Sequence, residues 1–335
     1  MPAVVSRRRF IAISAMAVGA PLLGLGIARA GTRPWRWEGR ALGAPASITL
    51  YHSEPGRARA AIAAGLAELH RLEGIFSLYL PGSALSRLNR EGILEDAPAD
   101  LLALLGRALI LAEVSDGVYD PTVQPLWQLY RDHFTAPNPD PNGPSPAAIA
   151  AARSLVGWRA LKLDADRRRI VLARPGMGLT LNSGAQGYVT DRLAEVLRAH
   201  GFDRMLVDMG EPRALAAKPD GSAWRIAIAN PADPAQTVAT LEVVDRCVAT
   251  SGGYGTLFDP AGRFTHILDP RTGGTAPALA GVSVVAETAT LADGLATAML
   301  LAPVERRRTI LRAAGGIQAI YVDPQGVTAT VEAAA

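Results

Sequence analysis

Apolar residues recur along this chain at two spacings, and each spacing predicts a different kind of element. Over residues 57–72 the leucines and Ile62 stand three or four positions apart, which predicts an amphipathic helix. Over residues 46–51 polar and apolar residues alternate, which predicts a strand, and Trp35–Gly39 leads into it. The same patterns predict helices that end at Asn89 and span 101–115, 147–156, 185–199 and 289–301, and strands over 161–163, 170–172, 204–208, 213–217, 224–229, 238–244 and 281–286, with a last hairpin near 318–331.

Capping residues support several of these helices. Asp100 is predicted to cap the apolar helix 101–115, which Asp116-Gly117 would stop, and Ser145 to cap the helix 147–156. The strands come in adjacent runs with helices between them. This order predicts an α+β fold with largely antiparallel sheets.

The stretch from Val248 to Gly273 is the strongest candidate for chemistry. Val248–Ser251 is predicted to end a strand at a Gly-Gly turn, and Phe264–Ile267 to form a second strand that Asp269-Pro270 breaks. Polar side chains would then gather where two neighbouring strands end: Thr250, Ser251, His266, Asp269, Arg271 and Thr272.

Composition and charge narrow the class of protein. The 335 residues are 49% hydrophobic and 5% aromatic, which is typical of a globular protein rather than a disordered one. The net charge of +3 depends on the first 30 residues, which hold four arginines and no acid; without them it is −1. A nucleic-acid partner is therefore not expected.

The first 30 residues are predicted to be an export signal. Ser6 to Ile11 resembles a twin-arginine motif, an apolar stretch follows to Ile27, and Ala28–Ala30 has the small residues of a cleavage site. A membrane anchor is the alternative, but four Gly and Pro residues interrupt the apolar stretch. We therefore expect a periplasmic protein exported by the twin-arginine pathway. Its only cysteine, Cys247, lies in an apolar strand and is expected to be a buried core residue.

Two short motifs could bind phosphate and a cation, although each has an ordinary structural interpretation. Asp293 and Thr297 lie one turn apart on an apolar helix, where their oxygens suit Mg²⁺; alternatively, Asp293 is an acid favoured near a helix N-terminus. Residues 182–188 form a Gly-containing helix start, which suits a phosphate but is also an ordinary cap.

Other candidates are equally ambiguous when taken alone. Residues 117–122 contain an Asp-Pro turn, and Tyr79 and Tyr119 could each stack on a planar ring or pack in the core. His266 could be a general base or a structural histidine. The sequence shows no zinc-ligand spacing and no Ser-His-Asp arrangement.

Taken together, six motifs in order resemble the ApbE family of FAD:protein FMN transferases, over roughly residues 41–301. They are Phe76–Asn89, Asp116–Leu126, Ala185–Asp191, Ala249–Gly252, His266–Gly273 and Ala292–Ala298. The resemblance implies one domain over residues 31–335, with an α+β, T-fold-related arrangement of mixed, largely antiparallel sheets and packed helices.

The resemblance also implies an activity. FAD would be split at its pyrophosphate, FMN attached to a Thr or Ser hydroxyl of a partner flavoprotein, and AMP released. His266 would be the general base, and Asp293 would be catalytic through Mg²⁺, with Ala185, Ala296 and Thr297 as further ligands. FAD would contact Leu42, Tyr79, Val118, Tyr119, Asp120, Asn182, Tyr188 and Ile267.

The export signal and the segment 37–44 resemble the branch of the family that flavinylates the membrane regulator of nitrous-oxide respiration. That resemblance implies a transient contact with a membrane protein. The chain also departs from the family pattern: Gln186 replaces a Lys, Gly253 an Asp, residues 42–44 a Met-Gly-Thr, and residues 209–212 have lost one Gly of a pair. These departures leave two alternatives open, a non-catalytic flavin-binding or assembly factor and an FAD pyrophosphatase.

Overall fold

The computed structural model of the protein describes residues 34–276, 281–323 and 325–334. The predicted export signal, residues 1–30, lies outside the described residues, as do residues 31–33 of the predicted domain. In the described part of the chain, no helix is both long and apolar enough to span a bilayer.

Thirteen described strands form three sheets. They are β1 (Pro34–Ala41), β2 (Ala44–Tyr51), β3 (Ile93–Leu94), β4 (Leu161–Asp164), β5 (Arg169–Leu172), β6 (Met205–Asp208), β7 (Pro212–Leu215), β8 (Trp224–Asn230), β9 (Asp233–Val243), β10 (Arg246–Gly252), β11 (Gly281–Ala286), β12 (Gln318–Val322) and β13 (Thr328–Glu332). The main sheet has the order β1-β2-β6-β7-β10-β11-β12-β13, and the smaller sheets are β3-β5-β4 and β8-β9. Neighbouring strands within these described sheets are antiparallel throughout.

The described part of the chain has eight α-helices, several of which cover one face of the main sheet. They are α1 (Pro55–Phe76), α2 (Ala84–Glu91), α3 (Ala99–Val114), α4 (Gln124–Thr135), α5 (Pro146–Ser154), α6 (Ala185–Ala199), α7 (Ala289–Leu301) and α8 (Arg307–Ala314). Helix α7 packs on β10 and β11, α6 packs between α1 and α7, and α3 packs on α1 and α7. The predicted α+β class is therefore confirmed.

The opposite face of the sheet is covered by the β8-β9 hairpin. Cys247 and Ala249 of β10 belong to the core under α7, whereas Val248 between them packs with Trp224 and Ile226 of the hairpin. This alternation follows from the two-residue period of a strand. The strand is apolar on both sides because both of its faces are buried, which also explains the buried thiol of Cys247.

Most of the predicted elements are confirmed. Helices α6 and α7 match the predicted spans at both ends, and β4 and β5 form the predicted hairpin. Ser145 caps α5 as expected, because its Oγ accepts the N–H of Ala148 at 3.2 Å. The helix α3 also ends at the predicted Asp116-Gly117, both of which have positive φ angles.

Two predictions were wrong. Asp100 is not the cap of α3, because the helix begins at Ala99 after Pro98; its carboxylate instead accepts the hydroxyl of Tyr188 at 2.8 Å. Residues 264–267 are not a strand: Thr265 forms only an isolated bridge with Leu257, and its hydroxyl donates to the carbonyl of Ala276. The helices α4 and α8 were not predicted.

Candidate functional site

A cavity of about 440 Å³ opens where the N-terminus of α6 meets the side of α7 and the end of β10. Other walls come from the turn after β1, the loop after α1, residues 118–127 and 180–183, Thr256 and the segment that begins at His266. Its lining includes eleven of the thirteen residues that the sequence analysis assigned to the site: Leu42, Tyr79, Val118, Tyr119, Asp120, Asn182, Ala185, His266, Ile267, Asp293 and Thr297.

Asp293 lies at the contact between α6 and α7. Its Oδ2 accepts the backbone N–H of Gly187 at 3.0 Å, and the carboxylate is almost fully buried. A Cβ at position 187 would overlap the backbone of α7, with Thr290 N only 2.8 Å away, so glycine permits this close approach. Burial raises the pKa of Asp293 to about 7, although the N–H groups of Gly187 and Gly184 oppose this shift.

The other predicted cation ligands lie beside Asp293. Thr297 follows one turn later on α7, and its Oγ1 is 2.9 Å from Oγ of Ser251 at the end of β10. Ala185, the first residue of α6, lines the same cavity. Ala296 is fully buried and does not line it.

These residues fit a hard divalent cation. A carboxylate, a hydroxyl and a backbone carbonyl are the oxygen ligands that Mg²⁺ accepts. A buried Asp293 carboxylate without a basic side chain bonded to it favours a bound cation as counter-charge. No group of three or more His, Cys, Asp and Glu side chains suited to a metal occurs among the described residues, so the ligand set would have to include neutral oxygens.

His266 faces the cavity from the irregular segment that follows β10. Its Nδ1 lies 3.1 Å from the carbonyl oxygen of Thr256 and 3.2 Å from the backbone nitrogen of the same residue. When Nδ1–H donates to that carbonyl, Nε2 keeps a free lone pair and can accept a proton. Burial lowers the pKa of His266 to about 4, which keeps the imidazole neutral near pH 7.

The predicted aromatic contacts differ in exposure. Tyr79 is 59% exposed at the cavity, whereas Tyr119 is buried and donates its hydroxyl to the carbonyl of Ser183 at 3.0 Å. Asp120 lines the cavity and also holds a turn, because its carboxylate accepts N–H groups of Thr122 and Trp158. The Asp-Pro turn interpretation was thus correct without excluding the site.

Tyr188 does not line the cavity, contrary to its assignment to the FAD site. Its hydroxyl donates to Asp100 and its ring packs edge-on against Phe76 at 5.5 Å between centroids. The side chain therefore joins α6 to α1 and α3. A tyrosine one turn into a helix gives no sequence signal for which neighbour its hydroxyl will meet.

The polar cluster predicted between Val248 and Gly273 divides into two parts. Thr250, Ser251 and His266 line the cavity. The other three residues do not: Asp269 pairs with Arg271 at 2.8 Å, and the Thr272 hydroxyl accepts the N–H of Gly274. Those three stabilise the turn that follows His266.

Glu211 and Gln186 are among the lining residues to which the sequence analysis assigned no role in the site. Glu211 is 5% exposed, and its Oε2 accepts the N–H of Thr250 at 3.1 Å; burial, together with Asp293 and Asp208, raises its pKa. Gln186 also lines the cavity, and its buried Nε2 has no hydrogen-bond partner among the described residues. The departures from the family pattern at Gln186 and at residues 209–212 were the only signals for them.

Comparisons with known proteins point to one family. A model of the ApbE family matches residues 42–321. An FAD:protein FMN transferase from Treponema pallidum is 31% identical over 308 aligned positions, with 84% of this chain and 83% of that protein covered. One from Klebsiella pneumoniae is 29% identical over 292 positions, covering 83% and 81%.

Solved structures show the same architecture. The apo form of the Pseudomonas stutzeri flavinyl transferase ApbE is 30% identical with a TM-score of 0.74, covering 90% of this chain and 96% of that one. The apbe protein from Thermotoga maritima is 26% identical with a TM-score of 0.78, covering 90% and 97%.

Fold and site together define an α+β domain whose oxygen-lined cavity lies between a helix N-terminus and the side of a second helix. The match over residues 42–321 is specific to one family of such domains. The chain belongs to the ApbE family.

Proposed function

We propose that this protein, an FAD:protein FMN transferase of the ApbE family, binds FAD and a divalent cation in the cavity and transfers FMN to a Thr or Ser hydroxyl. The single observation that carries the proposal is that His266, Asp293, Thr297 and Ala185 line one cavity. In the reaction, the acceptor oxygen bonds to the FMN phosphorus. The bond from that phosphorus to the bridging oxygen breaks, and AMP leaves with the bridging oxygen and its electrons.

The chain's own residues support the two ends of this step. His266 accepts the proton that the acceptor hydroxyl loses, at Nε2, while Thr256 holds Nδ1–H through its carbonyl. Asp293, Thr297 and Ala185 would hold Mg²⁺, which when bound neutralises charge on the pyrophosphate. The N-terminus of α6 lies at the same place, and its helix dipole favours an anionic group there.

The remaining walls suit a flavin. The cavity volume lies within the range of about 300–1,000 Å³ that is usual for small-molecule sites. Leu42, Val118 and Ile267 supply apolar surface for a planar ring, and Tyr79 presents an exposed ring at the same cavity.

We extend the proposal to the compartment and the acceptor. The twin-arginine segment and small-residue cleavage site support export to the periplasm. The resemblance of residues 37–44 supports, as acceptor, the flavin-binding domain of the membrane regulator of nitrous-oxide respiration. Incubating the enzyme with that domain and with an unrelated flavoprotein domain tests this choice, since equal labelling of both would leave no preference.

Intact mass spectrometry of an acceptor domain, incubated with the protein, FAD and Mg²⁺, tests the activity. We expect one covalent FMN and one AMP per acceptor for the wild type, and neither for His266→Ala or Asp293→Ala. Tight FAD binding without covalent product on two acceptors would instead identify an assembly factor. Release of free FMN without an acceptor would identify a pyrophosphatase.

A further inference from the structure

Asp191 joins three elements behind the cavity without lining it. It is 8% exposed and lies on α6. Its Oδ1 accepts the N–H of Ala289 at 2.9 Å and pairs with Nη1 of Arg213, on β7, at 2.6 Å. Its Oδ2 accepts both the N–H and the hydroxyl of Thr290, at 2.9 and 2.6 Å.

This carboxylate caps α7 from another helix. The first N–H groups of a helix have no partner within the helix, and the helix dipole favours negative charge beside them. In the first turn of α7, the Thr288 hydroxyl accepts the N–H of Leu291 and the Thr288 carbonyl accepts that of Ala292. Asp191 accepts the two preceding N–H groups, those of Ala289 and Thr290, so a residue of α6 stabilises the start of α7.

The same two helices meet at a second point, through Gly187 and Asp293. Asp191 follows Gly187 by four residues on α6, and Asp293 follows Ala289 by four residues on α7. Residues four apart lie on one face of a helix. The two contacts are therefore one turn apart on each helix, and together they fix both the distance and the axial register of α6 against α7.

We propose that Asp191, with Arg213 as its counter-charge, is a positioning residue that holds the oxygens of Ala185, Asp293 and Thr297 in register for a divalent cation. The inference rests on the proposed function, because it presumes that these three oxygens bind the cation. A shift of α7 along α6 would move Asp293 and Thr297 together relative to Ala185. Coordination at about 2.0–2.1 Å tolerates little of such a shift.

The experiment measures Mn²⁺ binding by electron paramagnetic resonance with saturating FAD, together with FAD affinity and the thermal unfolding temperature. We expect Asp191→Asn to weaken Mn²⁺ binding by about tenfold, the lower end of the loss that follows removal of a direct contact to a metal ligand, because Asp191 acts through the position of α7 and not on a ligand itself. Thr290→Val removes a single hydroxyl donor and keeps the shape of the side chain. It should fold as the wild type does and weaken Mn²⁺ binding several-fold.

Asp259→Asn is the matched control. Asp259 is equally buried and accepts the N–H groups of Arg263 and Phe264, but it lies outside α6 and α7. It should lower the unfolding temperature and leave Mn²⁺ affinity within about twofold of the wild type. Equal losses of Mn²⁺ affinity in the Asp191 and Asp259 variants would overturn the inference. So would a wild-type Mn²⁺ affinity in both Asp191→Asn and Thr290→Val. A wild type that binds FAD or Mn²⁺ not at all would instead refute the proposed function.

Discussion

The N–H of Gly187 and the carboxylate of Asp293 meet at 3.0 Å across the contact between α6 and α7. The backbone of one helix is thus a direct partner of the carboxylate proposed to hold the cation. Only a residue without a side chain allows this approach, because a Cβ at position 187 would overlap Ala289 and Thr290. This one contact therefore packs two core helices together and also fixes the position of the carboxylate in the proposed site.

Gly187→Ala should therefore damage stability and cation binding together. The added methyl group must push α7 away, and forced overpacking of this kind costs about 1–3 kcal/mol. We expect a lower free energy of unfolding in denaturant titrations and loss of Mn²⁺ binding by electron paramagnetic resonance. Gly74→Ala is the control, since nothing lies within 4 Å of a Cβ at that position of α1. Helix propensity should make Gly74→Ala more stable than the wild type by about 0.5–1 kcal/mol. If Gly187→Ala had the stability and Mn²⁺ binding of the wild type, the close contact of α6 with α7 would be contradicted.

His266 should make the protein less stable in acid. Burial lowers its pKa to about 4 in the folded protein, below the value of about 6.5 for a histidine in the unfolded chain, so the unfolded chain binds the proton more readily. Its contribution is complete above pH 6.5 and is lost as the pH falls from 6.5 to about 4, by up to about 3 kcal/mol at 1.36 kcal/mol per pKa unit. The contribution of His266 is measured as the difference between the unfolding free energies of the wild type and His266→Gln from pH 4 to pH 8. Parallel pH curves for the two proteins would show that the imidazole is not shielded from solvent.

The pH dependence of the flavinylation rate should also reflect the lowered pKa of His266. The acid limb of kcat/KM reports the pKa of the free enzyme's base. If His266 is that base, the limb should lie well below pH 6.5, because the depressed pKa keeps the imidazole neutral in weak acid. A limb at pH 6.5 or above would assign the proton transfer to another group.

Helices α6 and α7 could be predicted from the sequence at both ends, because both are rich in apolar and small residues that pack in the core. Residues 264–267 show the limit of the same reasoning. Their apolar side chains resemble a strand, yet Phe264 packs against Tyr130 and Phe134 of α4, a helix that had not been predicted. The apolar pattern thus predicted correctly that Phe264 is packed, but it did not predict that a helix covers it.

Some residues of the candidate site could be predicted from the sequence and others could not. Residues in motifs, such as Asp293 and His266, could be assigned from the sequence because several motifs occurred in order. Glu211 and the capping role of Asp191 could not, since each depends on a partner far along the chain: Thr250 for Glu211, and Ala289 for Asp191. Such contacts become visible only once the register of α6, α7 and the sheet is known.

Ser251→Ala tests whether a hydroxyl on β10 orients Thr297. The two oxygens are 2.9 Å apart, and when Thr297 coordinates a cation its hydrogen can donate to Ser251. We expect Mn²⁺ affinity to fall severalfold, with a loss of about 0.5–1.5 kcal/mol in unfolding free energy. Ser283→Ala is the control, because it removes a similar hydroxyl pair, with Thr250 at 2.8 Å. It should cost similar stability while leaving the cation affinity unchanged, and equal affinities of both variants would count against the orienting role.

Gln186→Leu should raise stability and lower FAD affinity, two effects of opposite sign from one side chain. The buried Nε2 of Gln186 has no partner in the described structure, so replacing it with an apolar group relieves a desolvation cost of about 1–3 kcal/mol. The same side chain lines the cavity, so its amide is a candidate donor to a phosphate oxygen of FAD. We expect FAD binding, measured by flavin fluorescence, to weaken by about tenfold, or about 1.4 kcal/mol. Gln186→Glu keeps the size but adds negative charge near Asp293 and should bind FAD more weakly still. Wild-type affinity in Gln186→Leu would mean that the nucleotide does not use this donor.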